Sequence, residues 1–271
     1  SRRIEGVAFD HGAQCFTLRD PRFAKEALRP RFGDTVVEWG PWTESQCRWR
    51  GTPSMSAVPK HLAHGLDVRL ETTVTALRPD GDRWSATIAS GTTFSAEAVV
   101  LTPPVPQALV LLDAGGVVLP ADLRSRLTAI EYDRCLAVMA VLDGPSRIPP
   151  PGGFAPASGP IAWITDNVQK GIASEPAVTL HARPAFSLGH WDHDRMNSGR
   201  LLLDAAAEWL GAGVRTFQVH GWRYSQPLVT DPARCLVVDA SLVLAGDAFG
   251  SGGVEGAVLS GMAAAEAILS R

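Results

Sequence analysis

Apolar and polar positions change their period several times along this chain, and the changes mark its elements. Over 67–77 they alternate, with Val68, Leu70, Thr72 and Val74 set against Arg69, Glu71 and Thr73, the period of a half-buried strand. Residues 83–89, which follow the turn Pro79-Asp-Gly-Asp82, read as the hairpin partner. A short, wholly apolar strand over 98–101 stops at Thr102-Pro-Pro104, because proline cannot continue a ladder. Helices are predicted over 56–65, with Lys60 and His64 four apart on one face, and near 120–129 and 201–210. Further strands are predicted at 35–39, 135–142, 161–165, 177–182 and 216–224. A Pro/Gly-rich loop over 144–159 separates two of them, and Trp39, Trp42 and Trp49 read as a local core or hairpin face.

The last thirty residues carry the strongest pattern. Leu242 to Ala245 form an apolar strand; Gly246 and Asp247 turn it; a small-residue helix follows from about Val254. Glycines at 250, 252, 253 and 256 let a backbone approach a ligand and leave N–H groups free at a helix start. The face Ala257, Gly261, Ala264 and Ala265 has almost no bulk, so it is expected to pack closely on a sheet or a flat cofactor.

Composition narrows the class. With 271 residues, 45% apolar and 20% charged, the chain can build one large domain or two modest ones. A net charge of −3 gives no basic footprint for nucleic acid. No apolar run approaches the roughly 18 residues that span a bilayer, so no membrane partner is expected. Cys15, Cys47, Cys135 and Cys235 show no C-x-x-C spacing, which points to free thiols in a reducing compartment, the cytoplasm. The seven histidines show no metal-ligand spacing, and no metal is expected.

Several motifs together carry a resemblance. Ala245-Gly-Asp-Ala, Gly253-Val-Glu-Gly-Ala and Ser260-Gly, with Phe9-Asp-His-Gly-Ala-Gln-Cys-Phe-Thr and Asp20-Pro-Arg-Phe near the start, resemble the bacterial renalase-like, FAD-dependent amine-oxidase-type oxidoreductases. Gly51-Thr-Pro-Ser-Met-Ser-Ala, Pro160-Ile-Ala-Trp-Ile-Thr-Asp-Asn, Leu180-His-Ala and His220-Gly-Trp-Arg-Tyr-Ser-Gln-Pro extend the likeness over essentially the whole chain. It implies an α/β (α+β) fold: a Rossmann-like FAD-binding domain of the amine-oxidase/hydroxylase type, with a mixed-sheet substrate domain over the flavin's exposed face. The expected division is 1–20, 61–112 and 236–271 for FAD, and 21–60 and 113–235 for substrate. The chain holds no Gly-x-Gly-x-x-Gly turn in the family's place for it. The expectation is a truncated start, with roughly forty residues, one βαβ unit or somewhat more, missing upstream.

The resemblance implies FAD contacts at Arg2, Arg3, Gly12, Ala13, Gln14 and Cys15, at Val74 near the adenine, and at Gly246, Asp247, Gly253, Val254, Glu255, Gly256 and Ala257. Asp247 would meet the polar chain of FAD, and the helix start would face the pyrimidine edge, where its dipole stabilises negative charge. Cys15 departs from the family, which often has an aromatic residue there. Catalytic candidates come from the second block. Asn167 could orient a carboxamide or amine, or it belongs with Asp166 to a turn-capping pair. His181 lies in an apolar strand, as a site residue or a satisfied core histidine. Of Trp222 and Arg223, strand neighbours that point oppositely, Trp222 is expected as an aromatic wall and Arg223 as an ion-pair partner. The implied reaction is oxidation of a dihydropyridine, a misreduced NAD(P)H isomer, with dioxygen as acceptor and hydrogen peroxide as product. Oxidation of an amine, or a catalytically silent binding module, are the alternatives.

Overall fold

The computed structural model describes residues 1–27, 30–43 and 46–270, with the side chains of 30–32, 41–43, 46 and 47 outside the description. Trp42 and Cys47 are thus sequence expectations that lie outside the described side chains. The chain divides into two compact units: residues 1–64 with 133–225, and residues 65–132 with 226–271. Residues 1–20, expected with the FAD-binding part, pack with 133–225.

The first unit is built on a five-stranded sheet in the order Gly153–Phe154, Ile161–Asp166, Ala177–Ala182, Tyr132–Leu142 and Val214–Pro227. Strand Ala177–Ala182 pairs antiparallel with both neighbours, placing His181 opposite Trp163 on one side and Ala137 on the other. Strand Tyr132–Leu142 is buried on both faces from Cys135 onward, which is why its sequence reads as an unbroken apolar run. Leu136, Val138, Ala140 and Leu142 pack with Trp191, Leu202, Leu203 and Leu210 of the helical layer. On the other face, Met139 and Val141 pack with Ile4, Val7 and Phe9 of the hairpin Arg2–Ile4/Val7–Phe9. That hairpin delivers the following segment, Asp10 to Cys15, to the sheet.

The second unit holds the parallel pair Val99–Leu101 and Leu242–Leu244, flanked antiparallel by Leu236–Val237. Beside it stands the antiparallel sheet Val74–Asp80, Arg83–Ile88 and Thr93–Ala96. Leu77, Trp84, Leu101, Leu112, Leu127, Leu244 and Phe249 form a common core under helices Val105–Ala114 and Ala121–Thr128. Gly115 ends the first of these helices against strand Val74–Asp80: a Cβ there would lie 1.8 Å from the Leu77 carbonyl oxygen.

Three expectations are corrected. The alternating stretch 67–77 becomes a strand only from Val74; Glu71 turns with φ of 53°, and Leu66, Val68 and Leu70 stay exposed, so their alternation meets no covering layer. The predicted helix 201–210 is two helices, Arg195–Ala205 and Ala207–Leu210, meeting at Ala206. In the C-terminal helix Gly253–Leu269 the packed face is Gly256, Leu259, Ser260 and Ala264, while Gly261 and Ala265 are exposed. Ala264 lies against Val243 and Ala245 of the preceding strand, and that contact sets the rotation of the helix.

Candidate functional site

In the second unit, strand Leu242–Leu244 leads through Ala245 into a turn that several contacts hold in place. The Gly246 N–H donates to Oγ of the fully buried Ser260 at 2.9 Å, tying the strand end to the helix. The 230–231 loop supports the other side: Gly250 N–H donates to the Asp231 carbonyl at 2.8 Å and Thr230 Oγ1 to the Gly250 carbonyl at 2.7 Å. Asp231, itself buried, takes a two-pronged ion pair from Arg126 at 2.9 and 3.0 Å. Gly252 and Gly253 have φ of 69° and 64°, values that side-chain-bearing residues rarely adopt, and a Cβ on Gly253 would meet nothing within 4 Å. No side chain caps helix Gly253–Leu269. The helix therefore starts without a side-chain cap, and its dipole favours a negative group at that end.

Asp247 sits in this turn with its carboxyl half-buried. Burial pushes it above the usual carboxylate range, opposed only by its own backbone N–H. A carboxyl held in this way can accept hydrogen bonds from ligand hydroxyls. The uncapped helix start and Asp247 thus supply donors for an oxyanion and an acceptor for hydroxyls within one glycine-lined turn, which fits the polar chain of a dinucleotide. Gly246, Asp247, Gly253, Val254, Glu255, Gly256 and Ala257 are all brought together here. Val74 begins strand Val74–Asp80 of the same unit, opposite Ile88.

In the first unit the segment 10–15 is locked by buried polar contacts. Lys170 is fully buried; its Nζ donates to Asp10 Oδ2 at 2.9 Å and to Gln14 Oε1 at 3.2 Å, and lies 5.1 Å from the Trp39 ring centroid. Burial pushes the Lys170 ammonium down, and Asp10 acts against this. Asp10 Oδ1 accepts from Met55 N–H at 3.0 Å. Gln14 Nε2 donates to the carbonyls of Asp10 at 2.6 Å and Gly12 at 3.1 Å. His11 carbonyl accepts twice, from Trp222 Nε1 at 2.8 Å and from His181 Nε2 at 3.1 Å, which requires the Nε2–H tautomer of His181.

Around this carbonyl the rings of His11, His220 and Trp222 cluster, with centroids 4.5 to 5.1 Å apart. Burial lowers His11 and His181 to about 4, so both are neutral at pH 7; His220 is lowered too, by burial and then by Arg2 and Arg195. Gly12 lies against Trp222, where a Cβ would touch Cζ2 at 3.4 Å. Cys15 Sγ accepts from Arg48 Nη1 at 3.4 Å. Arg2 and Arg3 lie in the first hairpin strand, and Arg3 folds onto its own turn, donating to the Gly6 carbonyl at 2.6 Å.

His181, Trp222, Gly12 and Gln14 therefore converge, whereas Asn167 does not join them. Its side chain is fully buried and donates to Ala177 carbonyl at 3.3 Å and Thr179 Oγ1 at 3.0 Å. Asp166 beside it caps the same turn, accepting from the N–H groups of Val168 and Gln169 at 2.8 and 2.9 Å and from Ser146 Oγ at 2.6 Å. Of the expected turn-capping pair, Asp166 caps the turn and Asn167 ties it to strand Ala177–Ala182. Arg223 is exposed and takes part in no ion pair among the described residues, which corrects the expected pairing. Sequence reasoning passed over Lys170, His11 and His220. His11 and His220 stood inside quoted motifs, and Lys170 gave no signal, because a lysine between Gln169 and Gly171 reads as surface. A separate cavity of about 470 Å³, lined by Met196, Arg200, Leu203 and Phe217 among others, includes none of the candidate residues.

Residues 14–164, more than half of the chain, match the family described as Flavin containing amine oxidoreductase. The chain belongs to that family. Among solved structures, it is similar to a candidate protoporphyrinogen oxidase from Exiguobacterium sp. 255-15, with a TM-score of 0.59 and 16% identity over 84% of this chain and 54% of the other. It is also similar to putrescine oxidase, as a cofactor-binding redesign (TM-score 0.62, 17% identity, 83% of this chain and 54% of the other) and as the wild type bound to putrescine (TM-score 0.60, 16% identity). The chain spans about half the length of these structures, and at such identities the likeness shows the fold: a mixed α/β fold of the amine-oxidase type. The family is described by its flavin, and in this chain the glycine turn presents the Asp247 carboxyl as an acceptor beside a helix start with no side-chain cap. Among the described residues, no helix is long and apolar enough to cross a membrane.

Proposed function

We propose that the protein is a renalase-like, FAD-dependent oxidoreductase whose substrate is a dihydropyridine, a misreduced NAD(P)H isomer, and whose electron acceptor is dioxygen. One observation carries the cofactor half of this reading: the Leu242–Leu244 strand, the turn with half-buried Asp247, and the uncapped start of Gly253–Leu269. Asp247 would accept hydroxyls of the cofactor, and the N–H groups of Gly253 and Val254 at the helix start would hold an oxygen-bearing edge, with Glu255, Gly256 and Ala257 of the same turn beside it. Arg2, Arg3, Gly12, Ala13, Gln14, Cys15 and Val74 are proposed as further cofactor contacts.

Bound FAD supplies hydride acceptance at N5, so that a dihydropyridine, a proton and dioxygen become a pyridinium and hydrogen peroxide. The protein's own residues bind and orient. Trp222, fixed by its bond to the His11 carbonyl, offers a flat wall for a planar ring. His11 and His220 flank it as neutral rings, and the charges acting on His220, Arg2 and Arg195, are both positive. That environment suits an anionic dinucleotide better than an ammonium. His181 orients the His11 carbonyl from the opposite strand, a positioning role.

Amine oxidation is the second reading, favoured by the family's description and by the fold likeness to putrescine oxidase with putrescine bound. Anaerobic stopped-flow separates the two. With FAD-loaded protein, a 2- or 6-dihydro-NAD isomer should bleach the flavin band near about 450 nm, and a primary amine should not. Bleaching by the amine alone would replace the first reading with the second; bleaching by neither would remove both.

A further inference from the structure

The first unit contains a cluster of cations with no acidic partner among the described residues. Arg134 and Arg195 both lie over the indole of the buried Trp191, their Cζ atoms 5.0 and 4.5 Å from its centroid. Gly221 gives Arg195 its space: a Cβ there would come within 3.1 Å of Trp191 Cη2 and 3.2 Å of Arg195 Nη2. His220, the preceding residue, is under the field of both Arg195 and Arg2, and its ring packs on Trp222 at 4.5 Å and on His11 at 5.0 Å. Among the described residues, no carboxylate lies within 4.0 Å of the guanidinium of Arg2, Arg134 or Arg195. Two donors are orphaned: Arg195 Nη1 and, in its N–H tautomer, His11 Nδ1 are buried with no hydrogen-bond partner.

Like charges brought together repel, and a buried donor without an acceptor is expensive. Both costs vanish if a negatively charged oxygen ligand enters. Guanidinium groups meet such oxyanions in pairs of parallel bonds, and a neutral imidazole adds one donor. We propose that Arg195, Arg2 and His220 form a binding site for the oxyanion group of a small molecule, a phosphate or a carboxylate, with Trp222 as its apolar flank. Arg134 acts by holding Trp191 beneath Arg195. Its residues all belong to the first unit; it shares Arg2 and Trp222 with the proposed cofactor and substrate contacts and deepens that reading by naming the anionic group.

Calorimetric titration in low-chloride buffer tests it, with inorganic phosphate, pyrophosphate and benzoate as separate probes on the full chain. The wild type should bind at least one probe saturably, and Arg195→Ala and Arg2→Ala should each weaken that binding about tenfold or more, the scale of one lost charge-assisted contact. Arg195→Lys should keep part of it. Phosphate-type probes binding alone would make the natural group a phosphate, and benzoate alone a carboxylate. Arg195→Ala also removes the contact with Trp191; Arg2→Ala leaves that contact intact, and its fold is checked by circular dichroism. In the histidine ring spectra, the bound probe should raise the His220 pKa. No saturable heat from any probe, or equal affinity in the wild type and both alanine variants, overturns the site. No flavin reduction enters these readouts, so their failure removes the charge argument for a dihydropyridine over an amine and leaves the cofactor assignment as it stands, whereas failure of flavin reduction leaves the oxyanion site as it stands.

Discussion

Lys170 Nζ and Asp10 Oδ2, 160 residues apart in the chain, form an ion pair 2.9 Å long in which neither side chain is more than 1% exposed. The pair joins the turn after strand Ile161–Asp166 to the segment that leaves the first hairpin. It also fixes Gln14, and so the whole 10–15 stretch, from the inside of the first unit.

Breaking that pair from one side leaves a buried charge alone, which costs about 3–5 kcal/mol. Lys170→Met should lower stability by that order in urea unfolding. Adding Asp10→Asn to it should recover part of the loss, because the stranded carboxylate is gone. A double variant whose loss equals the sum of the two single losses would show that the pair is not coupled.

Acid should destabilise the first unit before its carboxylates titrate. His11 and His181 are lowered from 6.5 to about 4 in the fold, so between these values the unfolded chain binds protons that the folded chain does not. Their contribution is fully present above about pH 6.5 and is lost as pH falls toward 4. For His181 the lost contribution is at most about 3–4 kcal/mol. Urea midpoints at pH 7 and pH 5 should differ accordingly, and His181→Gln should flatten the slope. An unchanged slope in that variant would mean that His181 is not the group responsible.

Asp247→Ala should weaken FAD retention by about 1–3 kcal/mol, the cost of one buried hydrogen-bond partner. Asp166→Ala should act differently, since its carboxylate holds a turn and Ser146: stability falls and cofactor affinity stays. Fluorescence titration with FAD decides. Equal affinity in Asp247→Ala and the parent would remove Asp247 from the cofactor site.

Trp222→Ala should slow flavin reduction about five- to tenfold, roughly 1 kcal/mol of lost stacking. Asn167→Ala should instead cost stability by about 1–3 kcal/mol and leave the reduction rate near the parent value, because its amide is spent on Ala177 and Thr179. Stopped-flow and thermal melts on the same two variants should give opposite orders of severity. A rate loss in Asn167→Ala equal to that in Trp222→Ala would return Asn167 to the site.

Local pattern was enough for much of the fold. The run Cys135 to Leu142 read as a strand, being apolar throughout and short for a buried helix, and the fold buries both of its faces. The apolar 242–244 stretch followed by glycines likewise determined a strand, a tight turn and a helix start, because glycine adopts the positive-φ backbone found at 252 and 253 far more readily than other residues. Sequence alone also put Asp247 at that turn. Burial and partnership were decided elsewhere. The alternation at 67–73 had the strand period but found no strand to pair with, and the face of the last helix was set by Val243 and Ala245, which its own periodicity does not contain. Lys170 became an interior residue only because the hairpin brought Asp10 and Gln14 to it, and Asn167 turned inward because Thr179 of the neighbouring strand stood within reach. A sequence specifies which period a segment can adopt; charge pairing and hydrogen-bond satisfaction depend on distances between segments, and those exist only once the chain has folded.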